Sequence, residues 1–217
     1  MKKGIGLRDR GIFRIAVLLS LSVAALALLA APLACCPPPT PTATPTPTPT
    51  PTPGVTPTAT LPPAPGCVHF DPPPLGSTFN VGDTLAEAGV HLTFGPFQWG
   101  NGQWTSSGFA EIGSAGLAGG MGKELMVNNI LVSFDFGVPI SGLSLKFGEY
   151  GGNLNIEING DFRNFANFAD INGATIGGST VTVTNGLGND TGTLEVSGTI
   201  GAFSIGGQEL WIDDVCP

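Results

Sequence analysis

From residue 89 onward, apolar and polar residues alternate in short runs. Residues 89–94, 130–136, 143–147, 154–158, 180–184, 193–197, 201–205 and 210–215 each put one set of apolar side chains on one face and polar ones on the other. A period of two over five to seven residues predicts half-buried antiparallel strands. Turn signals separate the runs: Gly151-Gly152-Asn153, Asn159-Gly160-Asp161, Asn172-Gly173, Gly177-Gly178, Asn185-Gly186 and Gly206-Gly207. Pairs of this type supply the positive φ that tight hairpins require.

Eight or more such strands imply a sandwich or a barrel. The Cys, Trp and Cys pattern of an immunoglobulin core is absent. The predicted fold is therefore an all-β, antiparallel jelly-roll β-sandwich whose first and last strands are neighbours. Two cysteines test this. Cys67 opens the domain, Cys216 is the penultimate residue, and no cysteine lies between them. In an oxidising compartment they are expected to pair and to join the two ends of the domain.

The first 65 residues read differently. Residues 1–36 hold a basic start (Lys2, Lys3, Arg8, Arg10, Arg14) and then an unbroken apolar run, the order of parts of a secretory signal. Leu33-Ala34-Cys35 resembles the end of a bacterial lipoprotein signal, which implies lipidation at Cys35. A plain cleaved signal and an uncleaved membrane anchor are the alternatives, since about 20 apolar residues span a bilayer. All three place the rest of the chain outside the cytoplasm, on the cell surface, with membrane contact only through the N-terminus. Residues 37–65 are nearly all Pro and Thr. Proline fixes φ and removes the amide donor, so this linker is expected to run as an extended polyproline stalk, up to about 90 Å long. The domain proper is residues 66–217.

Charge narrows the partners. After the linker only Lys123, Lys146 and Arg163 are basic, against fifteen carboxylates, a net charge near −12. Such a surface cannot neutralise phosphates, so nucleic acid is excluded as a partner. Cations or neutral ligands are favoured instead.

The densest candidate chemistry is Phe94-Gly95-Pro96-Phe97-Gln98-Trp99-Gly100-Asn101-Gly102-Gln103-Trp104. Sugars are bound by stacking on aromatic faces together with hydrogen bonds from amides. Trp99 and Trp104 with Gln98, Asn101 and Gln103 form the expected ligand-binding set, joined by Tyr150, the only tyrosine. The bland alternative seats one or both tryptophans in the core. Residues 161–170 repeat Phe at three-residue spacing and are read as a loop or one short helical turn that places its phenylalanines in the core.

Catalysis has little to stand on. His69 and His91 are the only histidines, and no Gly-x-Ser-x-Gly elbow or cofactor motif is present. Glu149, Glu157 and Asp161 are the carboxylates that a glycosidase would use, but the alternation around Glu157 assigns it to an ordinary solvent face.

The domain ends carry a resemblance. Val68-His69-Phe70-Asp71 at the start, Ala88-Gly89-Val90-His91-Leu92-Thr93-Phe94 after it, and Glu209-Leu210-Trp211-Ile212-Asp213-Asp214-Val215 at the close resemble extracellular galactose-binding-like jelly-roll modules, which include many carbohydrate-binding modules. The resemblance covers about a quarter of the domain. It implies a structural calcium held by an acid on the first strand and an Asp on the last, here Asp71 and Asp213 or Asp214. The expected function is a non-catalytic, surface-displayed binding module for a glycan or another cell-envelope component. The alternative is a structural or adhesive envelope protein.

Overall fold

The computed structural model describes residues 64–186 and 190–217. The signal segment, Cys35 and nearly all of the linker lie outside these residues. The described chain forms fifteen strands: β1 (Thr78–Asn80), β2 (Thr84–Glu87), β3 (Val90–Gln98), β4 (Trp104–Thr105), β5 (Phe109–Ser114), β6 (Lys123–Asn128), β7 (Ile130–Asp135), β8 (Ile140–Glu149), β9 (Leu154–Ile158), β10 (Asp161–Phe165), β11 (Thr175–Ile176), β12 (Ser179–Asn185), β13 (Thr191–Ile200), β14 (Phe203–Gly207) and β15 (Leu210–Cys216). One 3-10 turn, Phe168–Ile171, is the helical element among them.

Two antiparallel sheets pack face to face as a sandwich. The larger runs β1-β5-β6-β15-β8-β13-β12-β11, and the smaller runs β10-β9-β14-β7-β3-β2 with β4 paired to the end of β3. Between them lies a continuous apolar core whose largest fully buried members include Phe70, Phe94, Phe147, Phe168, Phe203, Leu125 and Leu154. The predicted alternation supplies it. Leu154, Ile156 and Ile158 of β9 are wholly buried, while Glu157 between them stays partly exposed on the outer face. The β9–β10 hairpin turns on Asn159 (φ 52°) and Gly160 (φ 82°), the left-handed pair of a tight hairpin.

The domain ends meet. Val68 and Val215 exchange both main-chain hydrogen bonds, at 2.9 and 3.0 Å. Cys67 and Cys216 form a disulfide with a Cα–Cα distance of 4.2 Å.

The structure corrects the reading of residues 161–170. Their first half is the edge strand β10; the short helical turn is confined to Phe168–Ile171, with Phe168 fully buried and Phe165 packed against the core. Phe162, at the outer face, is half-buried. Strands pair by main-chain hydrogen bonds, which a three-residue phenylalanine spacing does not report.

Candidate functional site

Three regions hold the residues singled out by the sequence. The first is the outer face of the smaller sheet. There the end of β3 leaves β7 and folds with β4 over β9 and β10. Asn155, fully buried, acts as a strand partner for Gln98: its Oδ1 accepts from the Gln98 main-chain N–H (2.8 Å) and its Nδ2 donates to the Gln98 carbonyl (2.9 Å). Asn164 Nδ2 donates to the same carbonyl (2.9 Å) and to Asn153 Oδ1 (3.0 Å). The hairpin loop is closed by Trp99 N–H to the Gln103 carbonyl and Gly102 N–H to the Trp99 carbonyl, both 2.8 Å. Asn101 Oδ1 accepts from Gln103 N–H (3.0 Å), and Gln98 Nε2 donates weakly to the Gly102 carbonyl (3.4 Å). Two of the three amides therefore shape the loop itself.

The two tryptophans part company. Trp104 pairs across the ladder with Gln98, leans on Phe162 (ring centroids 5.3 Å apart) and leaves 53% of its surface in solvent. Trp99 is half-buried and meets buried Phe97 edge to face, at 5.5 Å and 89°. Strand alternation puts Phe97 and Trp99 on the side away from Trp104. Beside the Trp104–Phe162 pair, register aligns a polar row across four strands: Thr93 (β3), Ser133 (β7), Ser204 (β14) and Glu157 (β9), with Phe162 next after Glu157. The Ser133 and Ser204 hydroxyls are 2.9 Å apart. With His91 and Asp135 this row lines a shallow depression of about 350 Å³.

The second region is the outer face of the larger sheet, where residues 115–122, rich in glycine, lie over β6 and β15. Glu124 is fully buried and accepts three consecutive main-chain N–H groups, from Gly116 (3.2 Å), Leu117 (2.9 Å) and Ala118 (2.8 Å). Asp213 is also fully buried. Its Oδ1 accepts from Asp214 N–H (2.7 Å), but its Oδ2 has no partner. Burial pushes its carboxyl up to about 7. Gly120 packs directly on this oxygen, and any Cβ there would collide with it. Asp214 sits at a bulge with φ 48°, which turns it toward Lys146 Nζ and His69 Nδ1, both 2.7 Å away. Burial works against its charge, yet those two hydrogen bonds hold the carboxyl below its ordinary range.

His69, Asp213 and Asp214 offer ligand atoms within 4.8 Å of one another. Asp71, expected with them, is not a member of this group. Its Oδ1 accepts from Lys123 N–H (2.9 Å) and lies against Gly122 of the same loop. Sequence reasoning missed Glu124 and His69 here; the only signal was a glycine-rich segment just before a Glu at the start of an apolar run.

Tyr150, expected beside the tryptophans, is on the larger sheet instead. Its hydroxyl donates to the Leu117 carbonyl (2.9 Å), and it shares a pocket with Trp211. A strand pattern tells which face a residue takes, but not which sheet its strand joins.

The three carboxylates weighed for hydrolysis do not converge. Glu149 is fully buried, accepting from Phe168 N–H (3.0 Å), and burial raises its pKa. Glu157 is on the outer face of the smaller sheet. Asp161 is held by Arg163, which lowers its pKa, with N···O distances of 2.7 and 3.0 Å. No protein-family model, curated protein or solved structure matches the chain significantly.

Proposed function

We propose that this protein is a non-catalytic binding module for carbohydrate, displayed outside the cell on its N-terminal signal segment and Pro/Thr linker. The observation that carries the reading is the half-exposed ring of Trp104, braced by Phe162 beside a row of hydroxyls and a carboxylate. Pyranose rings present apolar C–H faces and a rim of hydroxyls. A fixed aromatic face with Glu157 one strand away and the Ser204 hydroxyl two strands away complements both. Asn101 holds the loop in shape, and Gln103 and Trp99 lie on the other side of the hairpin. The jelly-roll reading of the sandwich belongs to the same proposal. Its support is antiparallel pairing throughout, joined terminal segments, and a chain that passes repeatedly from one sheet to the other between β6 and β9.

A glycan array probed with the purified protein is the test. Trp104→Ala is expected to weaken binding by about tenfold or more. Trp99→Ala should lower the melting temperature while leaving affinity within a few-fold. Equal binding by wild type and Trp104→Ala, or no glycan bound at all, defeats the reading.

The proposal includes a structural calcium at Asp213. A hard cation takes oxygen ligands, and the buried, partnerless Oδ2 of Asp213 is such an oxygen. Asp71 and the main-chain carbonyls of residues 115–122 would complete the shell, and the ion would offset the carboxylates gathered there. The imidazole of His69 would remain with Asp214. Calcium at about one hundred times its dissociation constant is expected to add about 2.7 kcal/mol and to raise the melting temperature by roughly 5–10 °C relative to chelator. The shift should vanish in Asp213→Asn. A melting curve indifferent to calcium removes the ion from the proposal and leaves the glycan face intact.

A further inference from the structure

A second concavity opens on the outer face of the larger sheet, remote in topology from the Trp104 face. Its volume is about 290 Å³, and Leu117, Met126, Asn128, Tyr150, Glu209 and Trp211 line it. Register explains the assembly. Trp211 of β15 stands between Met126 of β6 and Gly148 of β8. Glycines on β5 and β8, one on each side of β15, make room for the aromatics. The six-membered ring of Trp211 lies over Gly113 of β5, where a Cβ would come within 2.5 Å of it. Gly148 lets the Leu117 carbonyl approach the sheet, and the Tyr150 hydroxyl bonds that carbonyl. Two aromatic rings are thus fixed by packing around a small apolar space.

The electrostatics of this space are one-sided. Glu209, exposed, is the one acidic residue of its lining. Tyr150 has its pKa raised, first by burial and then by the charges of Asp190 and Glu124. No basic residue lines it. Each of the three cations among the described residues is engaged elsewhere: Lys146 with Asp214, Arg163 with Asp161, and Lys123 with the main-chain carbonyls of Asp71 and Pro73. Part of the pocket's hydrogen-bonding capacity is already spent. The Tyr150 hydroxyl already donates inward, and Asn128 Oδ1 already accepts from Asn129 Nδ2 (2.6 Å).

An anion finds no cation here. A compact apolar cation meets aromatic faces, a thioether and a carboxylate at once. We infer that the Trp211–Tyr150 pocket binds an alkylated ammonium group, such as the trimethylammonium headgroup of a choline-type ligand. This inference stands on a different sheet and different residues from the glycan reading and does not depend on it.

The test uses choline chloride as probe, with its uncharged isostere 3,3-dimethylbutan-1-ol as control. Binding is followed through the indole N–H resonances of the three tryptophans, assigned by Trp→Phe substitution. Choline is expected to shift the Trp211 signal saturably and to bind about tenfold more tightly than the isostere. Glu209→Gln, an exposed and fold-neutral change, should weaken choline by roughly three- to tenfold and leave the isostere unaffected. Trp104→Ala should leave choline binding as it is. Equal affinity for choline and its isostere would reduce the site to a plain apolar dent and overturn the inference. So would an unmoved Trp211 signal in wild type, or a choline affinity unchanged in Glu209→Gln.

Discussion

Replacing both Cys67 and Cys216 by alanine is expected to lower the melting temperature of the domain by roughly 10–20 °C. The two residues are separated by 149 positions, nearly the whole domain. Closing a loop of that length removes so much freedom from the unfolded chain that the chain-entropy model assigns the bond about 5 kcal/mol. A domain of this size moves by about 2–4 °C per kcal/mol. The folded state also contributes, because the bond holds the single Val68–Val215 bridge by which the first segment joins the larger sheet. Calorimetry on the double variant checks this, the double change avoiding a stray thiol. A drop below about 3 °C would mean that the sandwich holds its ends together without the bond.

The second large effect is expected at Asp213, and its sign depends on pH. An ordinary aspartyl carboxyl titrates near 3.8, whereas the buried one is pushed up to about 7. Between those values the folded protein binds a proton that the unfolded chain has released, so stability falls as pH rises through the window. Below about pH 4 both states are protonated and no penalty is felt. Above about pH 7 the penalty is complete, on the order of 4 kcal/mol. In chelator, wild type should therefore lose stability between pH 4.5 and 8 by an amount of that order. Asp213→Asn carries no charge and should be flatter over this range, nearly equal to wild type at pH 4.5 and more stable at pH 8. Glu149 titrates in the same direction in both proteins and drops out of the comparison, whereas the charge of Asp214, which titrates in the opposite direction, bears on Asp213 and is part of the difference. Urea unfolding at the two pH values measures it. A variant less stable than wild type at both would show that ionised Asp213 is stabilised in chelator by something other than a cation.

How far the sequence reveals this arrangement depends on what covers each strand. β12 is visible because one face meets the core and the other meets water, and β9 and β15 because their covered outer faces still carry polar residues, Asn155 and Glu157 on one and Asp213 on the other. β6 is not. Its outer face lies under residues 115–122, so Glu124 is as buried as Leu125 and Val127, and the alternation that marks a half-exposed strand disappears. β1, β2 and β4 are too short to show a period. The pairing of Cys67 with Cys216 follows from their being the only cysteines of the domain, whereas the partner of Trp104 does not follow from anything local. Phe162 belongs by spacing to a cluster of core phenylalanines. Only the fold of the β3–β4 hairpin over β10 takes it out of that cluster and makes it a brace. The acids Asp213 and Asp214 are legible through a resemblance at the last strand, but the bulge that turns Asp214 toward Lys146 and His69 is a property of backbone geometry at φ 48°.

The sulphur clasp also decides how the domain carries tension. An anchor on the N-terminal side of Cys67 and any attachment after Cys216 are separated by one covalent crossing rather than by fifteen strands. A pull between them follows the shortest load path, through Cys67, the two sulphurs and Cys216, and leaves the hydrogen-bonded ladders slack. Drag on something held against the Trp104 face enters by a different route, through β3 and β10, and must shear sheet pairs before it reaches the tether. The bond thus shields the fold from a pull between its two ends, and thiol reduction would move that load onto the ladders.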